Sequence, residues 1–270
     1  MPRSRSARAT LASLAVAWTA LVAAAALLAP WVAGGAPGPV HLPLVHSAPG
    51  PFDPCAAIPG ASYAALTIAS APSDRPAHAH GDLNLALRGY ATTATTLGLV
   101  DYSGGGDPGA PQLASLFADR RAPAVLAAYR VNDWDWGCNC RGASLTAWPA
   151  TLVGLAAAPG ETVHLPATGR DIGDGYAALV LYATQERITV KYTRDDNVVQ
   201  GYTVHIEGVC VEPTLLALYD ARNASGRGRL PALRGGQSLG RARGDEVGVA
   251  IRDNGTFMDP RSRKDWWQGY

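Results

Sequence analysis

Charge is scarce in this chain. Only 17% of its 270 residues are charged, and the formal net charge is +1. A near-neutral chain carries no bulk field to draw in nucleic acid or a strongly acidic partner. Cysteine is limited to four residues, Cys55, Cys138, Cys140 and Cys210. The lone C-x-C they contain lacks the matching second half of a structural zinc site. No internal repeat and no second linker are present, which leaves one β-rich domain, residues 61–270, as the simplest division. What the chain has in quantity is 30 Gly and 20 Pro. That mixture favours short strands, turns and loops over long helices.

The N-terminus carries the clearest local signal. Arg3, Arg5 and Arg8 precede an uncharged apolar stretch from Ala9 to about Leu28. A basic region followed by an apolar one reads as a secretion signal. The stretch also approaches the roughly 20 apolar residues that span a bilayer as a helix. Residues 1–33 are therefore expected to be either a signal peptide or a transmembrane anchor, with small residues near Ala33–Ala36 as a cleavage region. Either way the body is placed outside the cytoplasm, secreted or held at the membrane. Residues 34–60 follow as a Pro/Gly-rich linker or an arm laid on the domain.

An exported compartment permits disulfides, and four cysteines allow three pairings. A direct Cys138–Cys140 bond would close a very small ring. The expectation is that each of these two joins a distant partner, Cys55 or Cys210.

Along the body, "SYAALTIASAP" reads as a strand. Asp82 and Asn84 alternate with Leu83, Leu85 and Leu87, a period of two that predicts a half-buried strand. The stretch from Gln112 to Val131 predicts short helices broken at Pro123. From Thr151 onward, short apolar or alternating runs separated by Gly, Pro, Asp and Asn predict many strands. Pro213 suits the first turn of a short helix. Beyond it, the stretch 230–267 predicts about three more strands.

The last stretch carries a resemblance. Gly236-Gln237-Ser238-Leu239-Gly240, a strand "EVGVAI", Asn254-Gly255 and then Asp259-Pro260 resemble the end of the lysostaphin-type (LytM-like) peptidoglycan zinc endopeptidases. The local shape follows from the residues themselves. Glycines accept positive φ in tight turns, and Asn-Gly is a strong two-residue hairpin signal. The resemblance covers roughly residues 75–270, with a Trp/Cys-rich insertion near 103–170. It implies a mainly β fold, an antiparallel sandwich of the duplicated hybrid motif type with short helices in insertions.

It also implies a zinc site. The family opens that site with a His and an Asp four residues later, and His78 and Asp82 have this spacing, with His80 as an alternative imidazole. The family's Tyr-x-His has two poor counterparts, Tyr192-Thr193-Arg194 and Tyr202 with His205 one residue late. The family's His-x-His strand is missing. Glu246 and Gly248 stand where the catalytic base and the third zinc ligand belong, and catalytic zinc needs three protein ligands and an open position. His205 and Glu246 remain weak catalytic candidates.

Each of these residues also has a plainer role open to it. His78, His80 and Asp82 fit a solvated loop, His205 a structural histidine, and Glu246 a surface carboxylate. Trp134 and Trp136 are candidate ligand-binding aromatics or plugs of the domain's own edge. The basic, aromatic tail (Arg252, Arg261, Arg263, Lys264, Trp266, Trp267) would sit on an anionic surface or dock back onto the sheet. The expected function is that of a degenerate, exported binding or regulatory module, with peptidoglycan or another envelope component as partner. An active zinc hydrolase with rearranged ligands and a structural envelope protein are the alternatives.

Overall fold

The computed structural model describes residues 53–270. The hydrophobic helix expected near the N-terminus and most of the expected arm fall outside the described residues. Among the described residues, no helix is long and apolar enough to cross a membrane.

The chain runs through β1 (Ala64–Thr67), α1 (Leu85–Arg88), β2 (Tyr90–Thr92), β3 (Val125–Asp135), β4 (Cys140–Ser144), β5 (Leu152–Ala156) and β6 (Thr162–His164). It continues with β7 (Ala178–Ala183), β8 (Arg187–Lys191), β9 (Tyr202–Glu207), β10 (Val209–Val211) and α2 (Pro213–Ala224). β11 (Arg229–Leu233), β12 (Ser238–Ala242), β13 (Glu246–Asp253), β14 (Thr256–Met258) and α3 (Arg263–Trp266) complete it. The fold is mainly β and its ladders are antiparallel.

One sheet runs β1-β11-β7-β8-β9-β13-β5-β3-β2, with β4 and β14 as hairpin partners of β3 and β13. A smaller sheet runs β10-β12-β6. Central strands β7 and β9 are buried along their whole length, so both faces of the large sheet are covered at these strands. β13 sits between β9 and β5. Its Asn254-Gly255 turn has positive φ at both residues, 45° and 80°, the geometry a two-residue hairpin requires. The main core runs through Val153, Val190, Val204 and Val249 and covers both faces of β7, all of whose residues belong to it. A smaller cluster of Leu85, Val131, Leu152, Ala250 and Phe257 lies under α1.

Several expectations are corrected. The Asp82–Leu87 alternation does not form a strand. Asn84 accepts a hydrogen bond from the Ala86 N–H and caps α1 instead, a local side-chain bond that competes with extended backbone. Leu113–Leu116 forms a 3-10 turn, as a short helix was expected there. Beyond Pro123, however, the chain is the eleven-residue strand β3. Strands β3 and β5, from the stretch 103–170, belong to the large sheet. Four strands rather than three follow residue 229.

The cysteine pairing also differs. Cys55 bonds Cys210 and Cys138 bonds Cys140, with Cα separations of 5.1 and 5.3 Å. The small ring is accommodated because Asn139, between the cysteines, adopts positive φ at the turn of the β3–β4 hairpin.

The aromatic tail docks inward. Trp266 and Trp267 are buried, and their indole N–H groups donate to the Asp259 and Pro260 carbonyls (2.9 and 2.8 Å). Arg261 is buried against Asp259, so the tail is not an exposed basic patch.

Candidate functional site

The alternation of β13 places Glu246, Gly248, Ala250 and Arg252 on one face. Cross-strand register sets Gly248 beside Glu207 and Gly154, and Ala250 beside His205. His205 in turn pairs with Thr189 on β8. The segment carrying His78, His80 and Asp82 lies over this face, anchored where the Thr189 hydroxyl donates to the Leu83 carbonyl (2.7 Å).

Asp82 is the hub. Its Oδ1 accepts from Arg88 Nη2 and from Arg252 Nη1, each at 2.7 Å. Both arginines are buried. Burial by itself would raise the Asp82 pKa, but Arg252 and Arg88 outweigh it and hold the carboxyl below its usual range. The Phe257 ring lies close to both guanidiniums, whose centres are 5.4 and 4.6 Å from its centroid.

His205 stacks on Phe257 at 5.9 Å and is fully buried. Its Nδ1 is 3.0 Å from Thr189 Oγ1. Thr189 has one hydroxyl hydrogen, already given to Leu83, so Nδ1–H must donate. Nε2 is then a bare acceptor, with no partner among the described residues. Desolvation, reinforced by Arg252 and Arg88, pushes the imidazole well below its ordinary pKa, so it is neutral.

Glu246 folds its carboxyl over Gly154, where a Cβ would overlap it. The Tyr129 hydroxyl donates to Glu246 Oε1 (3.0 Å). Burial, with Glu246 adding to it, raises the Tyr129 phenol to about 12. Beside them, Glu207 is raised by burial, although Arg187 Nε donates to it at 2.9 Å.

His78 is exposed. His80 faces away from the arginines, its ring edge-on to Trp136 at 5.2 Å. Its Nδ1 accepts from the Asp82 backbone N–H (3.2 Å), and desolvation lowers its pKa. The two tryptophans part company. Trp134 is buried against Gly81, where no Cβ would fit, and its N–H reaches Asn139 Oδ1 (3.3 Å). Trp136 remains exposed, with the Arg75 guanidinium 5.2 Å from its ring.

Zinc does not fit this arrangement. Among the described residues, no group of three or more His, Cys, Asp or Glu side chains is placed to hold a metal ion. Asp82 spends the oxygen a metal would want on two cations, and Gly248 offers no ligand. The structure thus brings Asp82 and His205 to one face but gives them to arginine and threonine.

No family model, no curated protein and no solved structure matches the chain.

Sequence reading missed Arg88, Thr189, Tyr129 and the role of Arg252. Arg252 was legible in one respect, since the period of β13 puts it on the face of Glu246 and Gly248. Arg88 carried no such signal, because its position depends on α1 forming where a strand was expected.

Proposed function

We propose that this chain is an exported, catalytically degenerate peptidoglycan-endopeptidase-like domain of the duplicated hybrid motif type, acting as a binding or regulatory module at the cell envelope. The supporting observation is the exchange at Asp82. The carboxylate that matches the family's metal ligand is neutralised by Arg88 and Arg252 rather than left for a divalent cation. The strand that matches the family's His-x-His carries Glu246 and Gly248, held by Tyr129 and by close β5 packing. A scaffold that keeps an organised polar face while losing its ligand set supports recognition rather than hydrolysis. The antiparallel sheet with β13 at its centre agrees with the family's β architecture at that coarse level.

The test uses full-length protein, purified peptidoglycan and zinc. The protein is expected to sediment with the polymer and to release no new amino groups or muropeptides. Zinc-dependent release that disappears in His78→Ala would overturn the reading in favour of an active metallohydrolase. No sedimentation and no release would move the protein to a purely structural role.

A further inference from the structure

A surface cavity of about 220 Å³ opens beside the arginine pair, bounded by Arg88, Arg252, Thr151, Leu145, Ala147, Phe257 and Asp133 among others. A water occupies about 30 Å³ of liquid volume, so the space suits a ligand group of a few heavy atoms.

Its floor is rich in donors. A guanidinium carries five N–H groups. Arg88 gives hydrogen bonds to Gly81, Asn132 and Asp82, and Arg252 gives three to Gly255 and Asp82. N–H groups remain on both side chains. The Thr151 hydroxyl accepts from the Val131 N–H (2.8 Å), which leaves its own hydrogen to donate. Phe257 holds both guanidiniums against its ring and limits their freedom to turn away.

Charge points the same way. Two buried cations share a single carboxylate oxygen of the half-buried Asp82, and His205 behind them is neutral. The other acid is Asp133, 3.6 Å from Arg88 Nη1 and 66% exposed. A carboxylate so open to water compensates buried cations weakly. Leu145, Ala147 and Phe257 give the remaining wall a short apolar part, beside Gly255 and Thr256.

We propose that this cavity binds a carboxylate carrying a short aliphatic group, either a free acid or the C-terminus of a peptide ending in a small residue. Planar guanidiniums pair with planar carboxylates through parallel hydrogen bonds, and the apolar wall takes the side group. The bound carboxylate displaces Asp133 from the mouth. This deepens the binding role proposed above and rests on it only for the cell wall as a natural source of such peptides.

Full-length protein is titrated by calorimetry with propionate, N-acetyl-alanine, N-acetyl-alanine amide and inorganic phosphate. Saturable one-to-one binding of propionate alone marks a free acid, and of N-acetyl-alanine a peptide terminus. Either supports the site, provided that the amide binds at least ten-fold more weakly. Asp133→Asn, a change at an exposed side chain, is expected to tighten binding several-fold. Ala147→Trp, also at an exposed position, is expected to fill the cavity and abolish binding while thermal unfolding stays near wild type. No saturable binding of either acid, equal binding of acid and amide, preference for phosphate, or unchanged binding in Ala147→Trp would each overturn the proposal. The titration contains no peptidoglycan, so its failure leaves the sedimentation result standing, and the converse holds.

Discussion

At the scale of residues, buried charge is paired at several junctions, among them Arg227–Asp196, Arg261–Asp259 and the Asp82 cluster at the candidate site. Asp82 ties α1 to β13 through Arg88 and Arg252. Removing one partner of a buried pair strands the others. Asp82→Asn is expected to lower unfolding free energy by about 3 kcal/mol in urea titration. Since Asp82 is held below its unfolded pKa, its contribution is fully present above that unfolded value. It is lost as pH falls through the folded one. His205 acts at milder pH. Its folded pKa is depressed, so below about 6.5 the unfolded chain binds a proton that the folded chain refuses, and stability falls. His205→Phe should flatten the stability–pH curve between pH 6.5 and 5, read by thermal unfolding. An unchanged slope would show that His205 is not the group responsible.

At the scale of elements, α2 offers a clean case. Its Pro213 start was legible from the sequence, but its cap was not. Glu212 accepts from the N–H groups of Thr214 and Leu215 (2.7 and 3.1 Å), although the usual capping residues are Ser, Thr, Asp and Asn. Glu212→Ala is expected to cost about 1 kcal/mol, the typical loss of a cap, measured by chemical denaturation. Glu212→Gln should recover part of it. The strands after Thr151 were readable because β-branched and apolar runs are punctuated by turn residues. β3 was not, because Ala124, Ala127 and Ala128 follow Pro123 and favour helix, and pairing with β5 and β2 decides their state. The Leu83–Leu85–Leu87 alternation misled for a similar reason. Leu83 and Leu85 are buried as a strand reading implies, but Asn84 turns the chain between them. The candidate site suffered most from that misreading, since Arg88 enters it only through α1.

At the scale of the molecule, two disulfides do unequal work. Cys55–Cys210 joins residues 155 apart and pins the N-terminal end of the described body to β10. Cys138–Cys140 spans two positions and fixes only a hairpin tip. In the chain-entropy account a long loop gains most from closure. The Cys55→Ala/Cys210→Ala double variant should lose about 4 kcal/mol. Cys138→Ala/Cys140→Ala should lose less than about 1 kcal/mol. Comparable losses from both would show that loop closure is not the origin of the effect. The polar face of β13 lies under the α1 segment, while Val247, Val249 and Ile251 on its other face join the main core. The face is built, buried in part and cationic at its centre.

Zinc titration of the full-length protein at pH 7 tests the central claim most directly, namely that arginines stand where a metal would. No one-to-one binding tighter than about 1 mM, an interaction near 4 kcal/mol, is expected. Binding at about 1 μM that is lost in His78→Ala, at an exposed side chain where the fold is not at risk, would contradict it.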